Sequence, residues 1–312
     1  MKTLFPKKKL FEIDEINKSA GDEDFVARCE KSYQHNIDEV ADRIISDNRT
    51  IAMVSGPSAS GKTTSAQKIA KSITDRGGYA VVVSLDDFFK NIADYPETKD
   101  GKKDFESVYA VDIDRVNCCL AQLIENGVSD LPTFDFIKQQ RASEINHIEI
   151  DEGEVVIIEG IHALNPLMSQ SIPQDRIIKI YAGLREEYCE NGRRTLATRD
   201  IRITRRLIRD YLFRGHSVRN TLELWGRLVD GEEKWIKPFK DDADVLLDTS
   251  LTYEPCVFAP IMKKLTEDET QGGDFRETLL EIAGRFDPFL PIIEQKVPAN
   301  SLLREFLGGL TL

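Results

Sequence analysis

The residues with the clearest chemistry lie in the segment Ile51–Thr64, IAMVSGPSASGKTT. Its G-x-x-x-x-G-K-[ST] pattern follows an apolar run and precedes a helical pattern, which is the context in which such a loop binds phosphate. Gly56 and Gly61 allow the backbone to turn its N–H groups toward a polyphosphate, which also faces the positive end of the following helix. Lys62 is suited to the β- and γ-phosphates, and the Thr63 hydroxyl is suited to Mg²⁺. We therefore predict a site for a nucleoside triphosphate, formed by Gly56, Pro57, Ser58, Ala59, Ser60, Gly61, Lys62, Thr63 and Thr64.

Two carboxylates follow apolar runs at the points where strands should end. Asp86 comes after YAVVVSL, and Glu159 closes VVIIE. Open α/β sheets bind their ligands at the carboxyl ends of the strands. We therefore predict that Asp86 accepts the proton of an acceptor hydroxyl and that Glu159 joins Thr63 in binding Mg²⁺. The structural alternatives are a turn cap at Asp86 and a plain strand end at Glu159.

Arginines are concentrated in one segment of an otherwise acidic chain. The range 193–214 holds eight arginines and only two acidic residues. Arg202, Arg206 and Arg209 share one face of a helix. We interpret the segment as a lid that supplies guanidinium groups to a transferring phosphoryl group. A solvated charged face and an RNA-binding helix are the alternatives.

Apolar runs bounded by turn signals alternate with helical patterns along the chain, which predicts an α/β protein with a three-layer, doubly wound parallel sheet. The predicted strands are Ile51–Val54, Tyr79–Val83, Val155–Ile158, Ile177–Tyr181 and Val245–Leu247. The predicted helices are Thr64–Asp75, Ile113–Glu125, Glu186–Phe213 and Phe275–Phe286. Further helical periodicity in residues 1–48 leads into the first strand.

Composition narrows the class of protein. The 312 residues are 41% hydrophobic, which allows a sizeable core. A net charge of −12 argues against DNA and against a general nucleic-acid surface. The five cysteines form no C-x-x-C pair, which favours a reducing cytosol. No apolar leader or membrane-length run is present, so we expect a cytoplasmic protein without a membrane partner, and a homo-oligomer stays open.

Five motifs, in this order and spacing, resemble the uridine kinase/phosphoribulokinase family of P-loop kinases: GPSASGKTT, SLDDFF, LPTFDFIKQQR, VVIIEGIHALNP and RRLIRDYLFRG. The similarity runs from about Arg49 to about Pro260. EGIHALNP, GEEKWIKPF and VPANSLLREFLGG are similar to bacterial uridine-kinase-like proteins that are often fused behind TGS and threonyl-tRNA-synthetase-like domains. The resemblance implies a P-loop NTPase fold with a five-stranded parallel sheet, a helical lid, and MgATP-dependent phosphorylation of a hydroxyl group. We expect a helical N-terminal extension at 1–48, a kinase domain at 49–265, and a C-terminal extension at 266–312 packed on it.

The resemblance also implies roles for individual residues. Lys62 and Asp86 become catalytic, Arg209 and Arg214 contact the phosphates, and Arg206 lies nearer the acceptor and joins Arg209 in catalysis. The implied acceptor site comprises Asp86, Phe89, Glu106, Phe134, Asp135, Arg141, His162 and Arg206.

Several positions depart from the uridine kinase pattern. Phe134 stands where those enzymes have tyrosine, and Gln139 stands where they have histidine. The sequence F-E-S around Glu106 replaces their F-D-H, and His216 replaces a second lid arginine. These departures fall on acceptor recognition rather than on phosphoryl transfer.

The sequence therefore favours a kinase that transfers the γ-phosphoryl group of ATP, with Mg²⁺, to uridine or cytidine. The alternative acceptors are a sugar phosphate, a pantothenate-like molecule or another polyol. A second class of function is an ATP-binding regulatory or RNA-associated module with vestigial activity. Asp86 beside an intact phosphate loop favours catalysis, because a module that only senses ATP needs no base.

Overall fold

A central sheet organises the protein, whose computed structural model describes residues 7–269 and 274–312. The strands, numbered along the chain, are β1 Lys9–Glu12, β2 Ile51–Ser55, β3 Ala80–Ser84, β4 Val128–Asp135, β5 Gln140–Glu149, β6 Val155–Glu159, β7 Ile177–Gly183, β8 Glu186–Glu190, β9 Arg193–Leu196 and β10 Val245–Asp248. The helices are α1 Ile13–Ala20, α2 Phe25–Ser46, α3 Lys62–Asp75, α4 Ile113–Asn126, α5 Thr198–Arg209, α6 Val218–Trp235, α7 Glu254–Asp268, α8 Asp274–Gly284 and α9 Arg304–Leu307.

The central sheet has five parallel strands in the order β10-β7-β2-β6-β3. This confirms the predicted fold class and all five predicted strands. Every residue of β2 and β6 is buried, as expected for parallel strands covered by helices on both faces. Because β2 is the middle strand, the loop that follows it lies among the carboxyl ends of its neighbours, where this architecture binds ligands.

Helix α3 begins at Lys62, directly after the phosphate loop. It buries Ala66, Ile69 and Ile73 in the core. Helix α2 packs along it, and the Tyr33 hydroxyl lies 2.8 Å from the Ser65 hydroxyl. The helix dipole of α3 is therefore held with its positive end at the loop.

The prediction of a single helix over Glu186–Phe213 is wrong in its first part. Residues 186–196 form the hairpin β8-β9, and β8 also pairs in parallel with β1. Asn191 and Gly192 form the turn with φ values of 49° and 73°, the left-handed pair that a two-residue hairpin turn needs. The helix starts only at Thr198, and Asp210–Arg214 continues it as a π-helical turn.

A second hairpin, β4-β5, was not predicted. Its antiparallel register pairs Phe134 with Arg141, and Leu131 and Ile148 are buried. Helix α4 contacts β4, which fixes the hairpin beside the central sheet. Among the described residues, β1 and the two hairpins supply the strands that lie outside the central sheet.

The two terminal segments join the same core. In the predicted helical extension 1–48, residues 1–6 lie outside the described residues, and β1 adds a strand before α1 and α2. In the predicted extension 266–312, residues 270–273 lie outside the described residues, and α8 covers most of the predicted helix. Leu302 and Phe306 near the C-terminus are fully buried. Among the described residues, no helix has both the length and the apolar composition needed to cross a membrane.

Candidate active site

The phosphate loop has a backbone that only particular residues permit. A Cβ atom at Gly56 would lie 2.2 Å from the carbonyl oxygen of Ala182, so β7 leaves no room for a side chain there. Ala59 and Gly61 adopt left-handed φ values of 59° and 83°. Such alternation turns consecutive N–H groups into a concave anion-binding surface. The Ser60 hydroxyl is buried without a hydrogen-bond partner, so its hydrogen-bonding capacity is unused within the described residues.

The residues predicted to bind Mg²⁺ lie side by side. The Thr63 hydroxyl donates a hydrogen bond to Glu159 Oε2 at 3.2 Å, and the Ser84 hydroxyl donates to Oε1 at 3.0 Å. Glu159 reaches this point because β6 pairs with β2 on one side and β3 on the other. Burial raises the pKa of Glu159, and the charge of Lys62 acts against the rise. A hydroxyl and a carboxylate next to the phosphate loop fit the oxygen ligands that Mg²⁺ prefers.

Asp86 lies in the turn that follows β3. The side chain of Ser84, not Asp86, caps this turn by accepting the Asp86 N–H at 3.3 Å. Its neighbour Asp87 accepts the N–H of Phe134 at 3.4 Å. The Asp86 carboxylate lines a cavity, where burial raises its pKa and Lys62 opposes the rise. Asp86 therefore does not cap this turn, which was the structural alternative for its presence.

One cavity of about 310 Å³ brings together nine of the predicted site residues. The predicted residues that line it come from the phosphate loop, the turn after β3, the segment between that turn and α4, the β4-β5 hairpin, α5 and the π-helical turn after α5. They are Ser58, Lys62, Asp86, Phe89, Glu106, Phe134, Arg206, Arg209 and Arg214. Ile92, Tyr95, Phe105, Phe136, Gln139, Ile161 and Leu228 complete the lining.

The arginines of the lid converge on Asp210, which is 1% exposed. Its carboxylate lies 3.3 Å from Arg206 Nε, 3.6 Å from Arg209 Nε and 3.8 Å from Arg214 Nε. The Nε atoms of Arg206 and Arg209 are buried without a hydrogen bond, and Arg206 Nη1 donates to the Ser58 hydroxyl at 3.0 Å. Burial, and then the charge of Arg214, lower the pKa of Arg209. Three cations around one carboxylate leave a net positive charge that suits phosphate.

Two other arginines of this helix, Arg202 and Arg205, have structural partners. Arg202 pairs with Glu232 of α6, and Arg205 Nε lies 2.7 Å from the fully buried Glu254 of α7. Both also donate to backbone carbonyls of the phosphate loop, at 3.0 Å and 3.3 Å. The interpretation that the arginine excess of this segment needs phosphate is therefore corrected for these two, because acids from distant helices neutralise them.

Aromatic rings form one wall of the cavity. Phe134 makes edge contacts with Phe89 and Phe136, with centroids 5.9 Å and 5.2 Å apart. Tyr95 links Phe89 to Phe105 at 5.9 Å and 5.5 Å. The sequence identified Phe89 and Phe134, but Tyr95, Phe105 and Phe136 were missed. The exposure of Phe105 and Phe136, 52% and 60%, is the signal that marks them, and only the structure provides it.

Glu106 is a second carboxylate in the cavity whose pKa is raised. It packs against α6, where a Cβ atom at Gly231 would lie 2.3 Å from the Glu106 Cβ atom. Burial and then the charge of Glu232 raise the pKa of Glu106 to about 7. Near neutral pH it can therefore exist in either form, as a hydrogen-bond donor or as an acceptor.

Three residues predicted to bind the acceptor, Asp135, Arg141 and His162, do not line this cavity. Asp135 accepts the N–H groups of Ile137 and Lys138 at 3.0 Å and 2.9 Å, so it caps the turn of the β4-β5 hairpin. The Arg141 guanidinium forms an ion pair with Asp112, the capping residue of α4. Local turn geometry and a nearby carboxylate hold the side chains of Asp135 and Arg141 away from the cavity.

His162 and Thr64 also differ from expectation. His162 is 1% exposed, does not line the cavity, and has a pKa that burial lowers to about 4. The Thr64 hydroxyl, predicted to bind nucleotide, donates to Glu305 Oε2 at 2.5 Å and is 1% exposed. Leu302 packs over Gly61 next to it. The C-terminal residues thus contact the beginning of α3.

Comparisons with known proteins find similar sequences. A sequence model of the Phosphoribulokinase / Uridine kinase family matches residues 51–191. The uridine kinase of Lactobacillus helveticus is 29% identical over 195 residues, which is 62% of this chain and 83% of that protein. The uridine kinase of Borrelia duttonii is 28% identical over 221 residues, which is 70% of this chain and 96% of that protein.

A longer relative and a solved structure are also similar. The uridine kinase of Saccharomyces cerevisiae is 29% identical over 197 residues, and the match spans only 36% of the length of that protein. The structure of a possible uridine kinase from Bacillus stearothermophilus aligns with a TM-score of 0.48 at 17% identity, over 69% of this chain and 98% of that one.

The family match begins at the strand that carries the phosphate loop and continues through the strands that carry Asp86 and Glu159. It therefore covers three of the elements that build the cavity, and it confirms the family resemblance seen in the motifs. The narrower resemblance to TGS-linked proteins stays a prediction. Through the segment 51–191, the chain is similar in sequence to the Phosphoribulokinase / Uridine kinase family.

Proposed function

We propose that this phosphotransferase moves the γ-phosphoryl group of MgATP to a hydroxyl group of a nucleoside, with uridine or cytidine as the acceptor. One observation carries the proposal. The cavity joins Lys62 of the phosphate loop, the carboxylate of Asp86, the lid arginines and a wall of aromatic rings. Donor, base and acceptor surface are thus within one enclosure, as phosphoryl transfer requires.

The donor would lie over residues 56–63, with its terminal phosphates near Lys62 and the guanidinium groups of Arg206, Arg209 and Arg214. Thr63 and Glu159 would hold Mg²⁺, which supplies charge neutralisation between the phosphates. The buried Nε atoms of Arg206 and Arg209, which form no hydrogen bond, support an anion at this position. The arginines would keep the transferring group away from water and stabilise its developing charge.

Asp86 would act as the general base for the acceptor hydroxyl. A raised pKa strengthens a carboxylate as a base, and burial raises that of Asp86 while Lys62 opposes the rise. Phe134 and Phe136 offer ring edges and faces on which a pyrimidine base can stack. Glu106 would supply a polar contact to the acceptor. The names of the relatives support uridine as the first acceptor to test.

A panel of acceptors tests the proposal. Purified protein with MgATP is incubated with uridine, cytidine, deoxyuridine, ribulose 5-phosphate or pantothenate, and ADP release is measured. We expect turnover with the pyrimidine ribonucleosides and a marked preference over deoxyuridine, because a buried polar group left unpaired is costly. Asp86→Asn protein is the control for background ATP hydrolysis.

The panel also separates the alternatives. Turnover with only non-aromatic acceptors would reject stacking on Phe134 and select the polyol or sugar-phosphate acceptor. ATP binding without acceptor-dependent ADP release from any compound would favour the regulatory or RNA-associated module.

A further inference from the structure

A second cavity, of about 370 Å³, lies beside the phosphate loop at Pro57. It shares no lining residue with the cavity that holds Asp86. Its walls come from the end of β7, the start of α5, α6 and the residues that follow α6. The lining residues used below are Lys8, Tyr181, Arg185, Arg199, Lys237 and Lys240.

The lining of this cavity is strongly basic in a chain whose net charge is −12. Six cationic side chains line it, against the single carboxylate of Glu232, which already pairs with Arg202. Lys8 and Lys237 pair with glutamates outside the lining. Arg185, Arg199 and Lys240 have no carboxylate oxygen within 4.0 Å among the described residues. Three guanidinium or ammonium groups therefore remain available to a ligand.

The geometry keeps these like charges close together. The Lys240 ammonium lies 5.6 Å from the ring centroid of Tyr181, which is itself buried. Burial lowers the pKa of Lys240, and the charges of Arg185, Lys8 and Lys237 act in the same direction, while Asp241 acts against them. A concave surface with one sign of charge focuses its field on an ion of the opposite sign.

We propose that this second cavity binds a phosphorylated small molecule, separately from the donor at the phosphate loop. Guanidinium groups bind phosphate oxygens in pairs, and an ammonium group adds a compact charge. The volume lies within the range of about 300–1,000 Å³ that small-ligand pockets occupy. An enclosed cavity on an acidic protein suits a small anion better than it suits RNA, which needs an extended basic surface.

The donor itself does not account for this cavity. Its phosphates belong to the concave backbone of residues 56–63, whereas the second cavity touches that loop only at Pro57. Arg202 and Glu232 form part of its wall, but they pair with each other. Arg202 also donates a hydrogen bond to the backbone carbonyl of Ser58 in the loop. The inference therefore does not rest on the proposed kinase reaction.

Calorimetric titration tests the second site with the phosphate loop disabled. In a Lys62→Ala background, we expect inorganic pyrophosphate to bind at one remaining site. Adding Arg185→Ala and Lys240→Ala should weaken this binding by about tenfold or more, because each charged hydrogen bond is worth more than a neutral one. UMP and ribose 5-phosphate are titrated in parallel. Tighter binding of UMP identifies the ligand class as a nucleotide, and tighter binding of ribose 5-phosphate identifies it as a sugar phosphate.

The matched control adds Lys31→Ala and Lys264→Ala to the same background, which removes the same charge from exposed positions outside the cavity. This control should bind pyrophosphate normally. Arg185→Gln with Lys240→Gln, which keeps side-chain bulk, replaces the alanine pair if that pair melts early. Absence of pyrophosphate binding in the Lys62→Ala background, or equal binding by cavity and control variants, overturns the proposal. Cavity-dependent binding of a short single-stranded RNA without binding of UMP or ribose 5-phosphate also overturns it, in favour of RNA.

Discussion

At the scale of single residues, packing requires glycine at position 56 of the phosphate loop, whereas no structural contact requires Asp86. Gly56 must lack a side chain because the backbone of β7 occupies that space. The Asp86 side chain is not needed for the local structure, since Ser84 caps its turn and Asp87 makes the contact to the hairpin. A buried carboxylate without a structural partner is costly, which makes a functional role the better explanation of its presence.

Substitutions of Lys62 and Asp86 should give different phenotypes. Lys62→Ala should weaken ATP binding and turnover together, because its charge acts on the phosphates in every state. Asp86→Asn should retain ATP binding and lose acceptor phosphorylation by about 10²–10⁴-fold, the usual scale of a general base. Nucleotide titration and steady-state kinetics check both. Near-normal turnover by Asp86→Asn would transfer the proposed role to Asp87 or Glu159.

Glu106 should make stability depend on pH. Its pKa rises from an ordinary value of 4.5 to about 7 on folding. Between these two pKa values, the Glu106 carboxyl is protonated in the folded protein but ionised in the unfolded chain. The free energy of unfolding is therefore highest at low pH and falls as pH rises to 7. We therefore compare the free energy of unfolding of Glu106→Gln with that of the wild type. This difference should be about 3 kcal/mol more favourable to the variant at pH 8 than at pH 4.

Urea denaturation across that pH range measures the effect of Glu106→Gln. The exposed Glu152→Gln serves as the control and should follow the wild-type profile. A wild-type and a Glu106→Gln curve that stay parallel from pH 4 to pH 8 would contradict the burial of an ionisable Glu106 in the folded protein.

At the scale of elements, the lid is helix α5 with the π-helical turn that follows it. The first part of the helix is fixed to the phosphate loop by Arg202 and Arg205, whose buried carboxylate partners come from α6 and α7. The second part carries Arg206 and Arg209 and is held mainly through Asp210. One end of the lid is thus anchored, while the other depends on a carboxylate that a phosphate could replace.

Asp210 is therefore expected to position the lid arginines. Asp210→Asn keeps the shape of the side chain but removes the charge that three guanidinium groups share, so the arginines should separate and kcat/KM should fall by about 100-fold. Hydrogen exchange over residues 199–218 should rise in this variant without nucleotide. A non-hydrolysable ATP analogue should increase protection of the same segment in the wild type.

The matched control for the lid is Asp268→Asn, which removes the negative charge of the carboxylate that accepts the Tyr211 hydroxyl near the same turn. Asp268 touches no lid arginine in the described contacts. It should leave kcat/KM close to that of the wild type. Unchanged exchange and activity in Asp210→Asn would return the three arginines to the interpretation of a solvated charged face.

At the scale of the whole molecule, the C-terminal residues contact both the lid helix and the phosphate loop. Leu302 packs over Gly61, Glu305 accepts from Thr64, and the guanidinium of Arg205 lies 5.0 Å from the ring centroid of Phe306. These residues are far from the loop in sequence. Their contacts make the last residues of the chain part of the core that supports the site.

Phe306→Ala should destabilise the protein by about 3–5 kcal/mol, because it removes a fully buried ring from between the lid helix and the core. Chemical denaturation measures the change. Leu312→Ala, at a position that is 42% exposed, should change stability by less than about 0.5 kcal/mol. Similar values for the two variants would mean that the tail packs only loosely on the core.

The sequence by itself determined the parts of this protein that depend on short-range patterns. The five parallel strands were predicted correctly, because buried strands are continuous apolar runs. The phosphate loop lies between a strand and a helix as its motif predicts, because such a loop is defined within a few residues. The turn at Asn191-Gly192 was equally local, and its hairpin signal was overlooked in favour of the arginine spacing.

The tertiary structure alone decided which polar groups meet. Arg202 and Arg205 resemble the other lid arginines in sequence, but acids on α6 and α7 neutralise them. Arg141 is likewise held by Asp112 rather than at the cavity. Ion pairs and aromatic contacts depend on distance in space, and helix packing and hairpin placement bring together residues that no local pattern connects.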